Sequence, residues 1–166
     1  MPPSHSGYLL GIGSNLEPQQ NIVQIIQHLL DAFPTIVISR VLELPPIGMN
    51  SHHDFLNIVV FIETDNSEVQ LKTICNTIEV QLGRDRSDPD RKTKDRPADL
   101  DILATLQLPN DAQRAAYSIT DEYFLYPLID EIVAYLLQKP IELPQKGVTL
   151  SLDGLSFGQT ATTINR

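Results

Sequence analysis

The stretch 84–101 carries Arg84, Arg86, Arg91, Lys92, Lys94 and Arg96, six of the chain's twelve basic residues in eighteen positions. The rest of the chain is acidic, with six basic residues against fifteen acidic ones. A local basic cluster on an acidic chain suits a small anionic ligand, because guanidinium forks match phosphate oxygens two at a time. The other reading is a solvated loop in which Asp and Arg neutralise one another. Asp99-Leu100-Asp101 sharpens the first. In a strand, residues i and i+2 share a face, so both carboxylates project together while Leu100 and Ile102 turn to the core. Two adjacent carboxylates repel and raise a pKa unless a cation sits with them. Mg²⁺ prefers hard oxygens and is often held by one or two carboxylates plus substrate phosphates. Basic residues beside a paired-Asp metal site are the ingredients of phosphoryl transfer. The competing view of Asp99 and Asp101 is a strand edge made polar against aggregation.

Other candidate groups carry less. Gly13-Ser14-Asn15 reads as a plain strand-to-helix turn, and neither GxxxxGK[ST] nor GxGxxG is present, so any nucleotide is held in another way. His52 and His53 fall in a polar loop and read as surface residues. His28 reads as structural. Cys75, the single cysteine, sits on an apolar helical stripe and reads as an inert core thiol.

The elements that must position these groups follow from periodicity. Tyr8–Ile12 reads as a buried strand. Ile22, Val23, Ile25, Ile26, Leu29, Leu30 and Phe33 recur at helical spacing, closed by Pro34. Thr35–Leu44 reads as a second strand, broken by Pro45-Pro46. Phe55–Glu63 is apolar on both faces and reads as a central third strand. Ser67 with Gln70 fits a capping box opening a second helix, striped by Val69, Leu71, Ile74, Cys75, Ile78 and Leu82, with Gly83 past its end. Asp99–Leu106 reads as a fourth strand, 107–122 as irregular, Tyr126–Leu137 as a short helix with Pro127 in its first turn. The tail, with Val148–Leu150 and Leu155–Phe157, reads as loop and a minor strand pair. The order β-α-β-β-α-β predicts an α+β, ferredoxin-like antiparallel sheet with helices on one face, plus C-terminal additions.

The 166 residues suit one domain, 1–166. A formal net charge of −9 disfavours nucleic acid and anionic membrane surfaces as partners. One cysteine excludes an internal disulfide, and no apolar run is long enough to span a bilayer. The first six residues lack a charged region followed by an apolar stretch, so no signal peptide is expected. The expectation is a cytoplasmic protein, and nothing in the sequence calls for an oligomer, so a monomer is expected.

Five blocks in order then resemble a known family. They are Gly11-Ile12-Gly13-Ser14-Asn15-Leu16; Leu44-Pro45-Pro46-Ile47-Gly48 followed by Asp54-Phe55-Leu56-Asn57; Ile78-Glu79 with Leu82-Gly83-Arg84 and Arg86; Arg96-Pro97-Ala98-Asp99-Leu100-Asp101-Ile102; and Tyr123-Phe124-Leu125-Tyr126-Pro127-Leu128. The set resembles the 6-hydroxymethyl-7,8-dihydropterin pyrophosphokinases of folate biosynthesis over residues 7 to about 137, leaving 138–166 as a C-terminal extension. The family fold is ferredoxin-like. The resemblance implies transfer of pyrophosphate from ATP to the hydroxymethyl group of a reduced pterin, with release of AMP. It implies Asp99 and Asp101 as the Mg²⁺ pair, Arg84, Arg86 and Arg96 as catalytic and triphosphate-contacting, and Glu79 and Ile102 beside the nucleotide. For the pterin it implies Asn57 on the heterocycle edge, Phe55 and Tyr123 on its two faces, and the Leu44–Ile47 loop, through Leu44, Pro45 and Ile47, for backbone contacts.

The chain departs from the family pattern. It has no tryptophan, its arginine loop is about two residues longer, and Arg114–Glu122 contains no histidine and carries acid where a base is expected. Two other functions therefore stand beside the first: a pterin-binding relative that serves as a binding or regulatory module, and a Mg·ATP phosphotransferase with another acceptor.

Overall fold

The computed structural model describes residues 3–46, 52–91 and 94–166. Ile47 and Lys92 lie outside the described residues. The strands are β1 (His5–Ser14), β2 (Thr35–Ile38), β3 (Leu42–Leu44), β4 (Phe55–Ile62), β5 (Asp99–Leu108), β6 (Leu150–Leu152), β7 (Leu155–Phe157) and β8 (Thr162–Asn165). The helices are α1 (Pro18–Ala32), α2 (Glu68–Gln81) and α3 (Tyr126–Leu136). The main sheet is antiparallel, in the order β5-β1-β4-β2-β8, with β3 also paired to β4. The fold is α+β, and the expected strand and helix order is present.

Alternation along the strands divides the core in two. Leu10, Ile12, Ile36, Ile38, Leu56, Ile58, Val60, Ile62 and Leu100 face α1 and α2. Leu9, Val37, Leu42, Val59, Phe61, Leu106 and Leu108 face α3. β4 is apolar on both faces because both are covered, as its sequence requires. Each fully buried Leu or Ile contributes about 1.5–3 kcal/mol.

The structure departs from the sequence reading in four places. First, helices cover both faces of the sheet: the apolar stripe Leu128, Ile129, Ile132, Leu136 closes α3 onto the side opposite α1 and α2. Second, Thr35–Leu44 is two strands. Ser39 breaks it by accepting the Val59 N–H through Oγ (2.9 Å) and donating from its own N–H to Val59 O (2.9 Å), so pairing to β4 continues across the break. Third, β1 runs on through Gly13 and Ser14, and the turn begins at Asn15. Fourth, the tail is more than an appendage. Its minor pair exists as β6–β7, and β8 joins the main sheet beside β2, with Ile164 buried. A short polar strand such as TTIN gives little signal until a partner edge is known.

The tail is fixed by a buried ion pair. Arg40 and Glu131 are each about 3% exposed or less. Glu131 accepts from the Arg40 and Ala161 amides (both 3.0 Å), while Arg40 Nη1 donates to Gln145 O (2.8 Å). The capping box is present as read, with Gln70 N–H on Ser67 Oγ (3.2 Å) and Ser67 N–H on Gln70 Oε1 (2.8 Å). Gly83 follows α2 at φ +95°, a value that costs a side chain and not glycine.

Candidate active site

The strand register gathers the site. Gly13 lies opposite Asn57 on β4 and opposite Asp99 on β5, and Gly11 lies opposite Asp101. Leu44 lies opposite Phe55. Period-two alternation places Gly11, Gly13, Leu44, Phe55, Asn57, Asp99 and Asp101 on one face, the α3 side, at the end of the sheet beyond that helix. Here, on this face, β1 presents only Gly11 and Gly13, and the bare backbone leaves a depression. A methyl at Gly13 would lie 2.9 Å from Asn57 Oδ1 and 3.3 Å from Phe55 Cδ1, while one at Gly11 would meet Leu125 at 3.0 Å.

The result is a cavity of about 220 Å³. Its lining combines Leu44, Pro45, Phe55, Asn57, Phe124 and Leu125 with the charged Arg96, Asp99, Asp101 and Glu122. An apolar slot with one carboxamide on its edge suits a flat, polar-rimmed heterocycle. A second cavity of about 330 Å³ lies along α2, lined by Glu68, Lys72, Cys75, Asn76, Arg86, Leu100, Asp101 and Ile102. Asp101 belongs to both linings.

The arginine loop packs against this junction through Glu79. That carboxylate is 2% exposed and accepts from Arg86 Nε and Nη2 (both 2.7 Å), from Arg84 Nη1 (3.2 Å) and from the Leu100 amide (2.8 Å). Arg84 continues to Asp99 Oδ1 (2.7 Å) and Ala98 O (3.1 Å). Arg96 Nη1 holds Asp99 Oδ2 at 3.1 Å. Asp99 is thus held on both oxygens. Asp101 faces Arg86 at 3.6 Å. Burial, then Asp99, then Glu122 push the Asp101 carboxyl up to about 7, and Arg86 offsets this only in part. Burial and Asp99 also raise Glu122, with Arg96 opposing. Arg86 is held more firmly charged by its hydrogen bonds to Glu79. Asp99 and Asp101 offer two hard oxygen ligands on one face; among the described residues no group of three or more His, Cys, Asp or Glu side chains is arranged to hold a metal.

The expected residues separate into groups. Leu44, Pro45, Phe55, Asn57, Arg96, Asp99 and Asp101 meet at the first cavity; Arg86 and Ile102 line the second. Three stand apart from both cavities. Glu79, expected beside the nucleotide, is beneath the surface as the anchor of Arg84 and Arg86. Arg84 itself is 7% exposed, its charge spent on Glu79 and Asp99. Tyr123, expected on a heterocycle face, is 62% exposed and outside the cavity wall; Phe124 takes the wall and meets Tyr123 edge to face at 5.9 Å. The reason is the 3₁₀ turn Tyr123–Leu125, in which successive side chains point about 120° apart. Glu122, Phe124, Gly11 and Gly13 were not singled out as site residues. The glycines carried a signal, since two of them at i and i+2 in an apolar strand clear one face.

Cys75 is buried, its thiol pushed up to about 12 chiefly by burial, consistent with an inert core residue. Among the described residues no helix is long and apolar enough to cross a membrane.

A family model, 7,8-dihydro-6-hydroxymethylpterin-pyrophosphokinase (HPPK), matches residues 9–132. Proteins named 2-amino-4-hydroxy-6-hydroxymethyldihydropteridine pyrophosphokinase are similar in sequence. The one from Porphyromonas gingivalis is 32% identical over 96 residues, covering 57% of this chain and 65% of the relative. That from Bacillus subtilis is 30% identical over 97 residues (57% and 56%), and that from Methylorubrum extorquens 33% over 98 (57% and 60%). The chain spans less than two thirds of the length of the curated relatives it matches. With the matched segment covering more than half of the sequence and containing every element of the site, the chain belongs to the 7,8-dihydro-6-hydroxymethylpterin-pyrophosphokinase family.

Proposed function

We propose that the protein transfers pyrophosphate from ATP to the hydroxymethyl group of 6-hydroxymethyl-7,8-dihydropterin, releasing AMP, as a step of folate biosynthesis. The observation that carries this reading is the shared Asp101. A slot for a flat heterocycle and a cavity beside Arg86 meet at Asp101. The names of the relatives support the same activity.

In this reading Phe55 and Phe124 sandwich or flank the pterin, and Asn57 reads its edge with a donor and an acceptor at once. Tyr123, exposed beside Phe124, closes on the ring from outside. The pterin hydroxyl then lies near the carboxylate pair, and its oxygen attacks the β-phosphorus of ATP; the bond from that phosphorus to the α–β bridging oxygen breaks, AMP leaves, and the hydroxyl proton is released to solvent. Arg86 and Arg96 balance the phosphate charge, while Glu79 and Arg84 hold them and Asp99 in place. Ile102 packs against the nucleotide. Catalysis is by positioning and charge neutralisation, with no covalent intermediate on the protein.

Asp99 and Asp101 fit a Mg²⁺ ion: both are hard oxygen donors on one face, and burial, with Asp99 and Glu122 nearby, disfavours the charged form of Asp101 unless a cation joins it. When bound, such an ion would neutralise phosphate charge between the two substrates. The protein would act in the cytoplasm as a monomer and single domain, with ATP and the reduced pterin as its partners. Pterin-dependent formation of AMP, and not ADP, from Mg·ATP tests the reading; ADP would point to transfer of one phosphoryl group.

One observation favours a second reading. Glu122 adds a third carboxylate to the cavity wall, where the family pattern expects no acid. A pterin-binding module without turnover would bind pterin normally and form no AMP.

A further inference from the structure

Arg96 reaches the cavity from a backbone that is gripped from two sides. Asn15, 2% exposed at the end of β1, donates its own N–H to Arg96 O (3.0 Å) and accepts the Arg96 N–H on Oδ1 (2.6 Å). Its amide nitrogen donates to Asp95 Oδ1 (2.9 Å) and to His53 O (3.4 Å). The carboxamide is therefore used at both ends, which fixes its orientation. The second Asp95 oxygen, Oδ2, receives Nδ1 of His53 at 2.5 Å. Asp95 thus joins three segments: β1, the β3–β4 connection through His53, and the arginine loop.

The last two of these segments meet at His53 and Asp95, and described residues beside both line the site. Pro45, just after β3, and Phe55, the first residue of β4, both line the cavity, and the arginine loop delivers Arg96, which holds Asp99. We propose that His53 and Asp95 form a latch that ties these two segments together and positions Arg96 over the cavity. Both are positioning residues; neither lines the cavity. His53 is 65% exposed and Asp95 24%, so the pair adds little to global stability. Its effect is local: it fixes where the guanidinium of Arg96 stands relative to Asp99, and misplacement there costs rate more than binding.

The role in turnover rests on the pyrophosphoryl-transfer reading, whereas the latch itself does not. The test compares wild type with His53→Ala, Asp95→Ala, the double variant and His53→Asn, whose amide nitrogen takes the place of Nδ1. Amide hydrogen exchange over residues 94–98 in the ligand-free protein reads the latch directly. Exchange is expected to rise about tenfold in His53→Ala, to stay near wild type in His53→Asn, and to be no faster in the double variant than in Asp95→Ala. In the AMP assay kcat should fall about tenfold in His53→Ala, with the KM for pterin unchanged and activity recovered by His53→Asn. Unchanged exchange in His53→Ala, or effects that simply add, would overturn the latch. Altered exchange with kcat unaffected would overturn its positioning role. A wild type that makes no AMP removes the proposed function and leaves the exchange experiment to decide the latch.

Discussion

Asp99 and Asp101 stand two residues apart on one face of β5, yet Asp99 is held by Arg84 at 2.7 Å and by Arg96 at 3.1 Å, while Asp101 meets Arg86 at 3.6 Å. The pair is therefore asymmetric. Asp99 is set in a lattice of guanidinium groups, and Asp101, 43% exposed at the junction of two cavities, carries the unbalanced charge.

That asymmetry separates the two substitutions. Asp101→Asn should lower pyrophosphoryl transfer at least about a hundredfold with the fold intact. Asp99→Asn should do the same and also lower the unfolding midpoint, because the nearly buried Arg84 and the partly buried Arg96 lose a charged acceptor. Steady-state AMP release and urea unfolding on both variants check this. Full activity in either would remove the metal assignment.

The same charge predicts a pH dependence of the metal-free protein. A carboxyl whose native pKa is raised to about 7, above roughly 3.9 when unfolded, binds its proton more tightly in the native state. Its contribution is thus fully present below about pH 4 and is lost as pH rises to about 7. Denaturation of wild type and Asp101→Asn in EDTA should show the variant gaining relative stability between about pH 4 and 7. Added Mg²⁺ at pH 8 should close that gap by stabilising wild type alone. A constant difference across pH would contradict the account.

Glu79→Gln should be among the most damaging single changes. It removes the charge under Arg84, which is 7% exposed, and weakens the hold on Arg86 and the Leu100 amide. A loss of about 3–5 kcal/mol is expected, as for breaking one side of a buried ion pair. Urea unfolding measures it, and a loss below about 1 kcal/mol would show the carboxylate to be dispensable.

Gly13→Ala tests the shape of the pterin slot. The added methyl meets Asn57 Oδ1 and Phe55, the edge and face contacts assigned to the heterocycle. The overpacking should cost about 1–3 kcal/mol of stability. The KM for pterin should rise at least about tenfold while that for ATP stays put. Equal rises in both would place the pterin elsewhere.

What could be read from the sequence was whatever rests on local periodicity. The DLD spacing gave the common face of Asp99 and Asp101, and Ser67 with Gln70 gave the start of α2. Groups defined by distant partners were not legible. Arg40 and Glu131 are ninety-one positions apart, and neither advertises burial without the other. The resemblance puts Glu79 beside the nucleotide, and only the folded-back Arg84, Arg86 and Leu100 show it as a buried anchor. Asp95 and His53 acquire meaning only when Asn15 brings the two loops together. Tyr123 and Phe124 are neighbours in one turn, and the turn's rotation decides which ring enters the wall.

The most direct test of the central claim is a single stoichiometry. With Mg·ATP in excess and 6-hydroxymethyl-7,8-dihydropterin limiting, the account predicts one AMP and one pterin diphosphate per pterin supplied, and neither with Asp101→Asn. Pterin bound at Phe55 and Asn57 by a folded wild type that yields no AMP would contradict it.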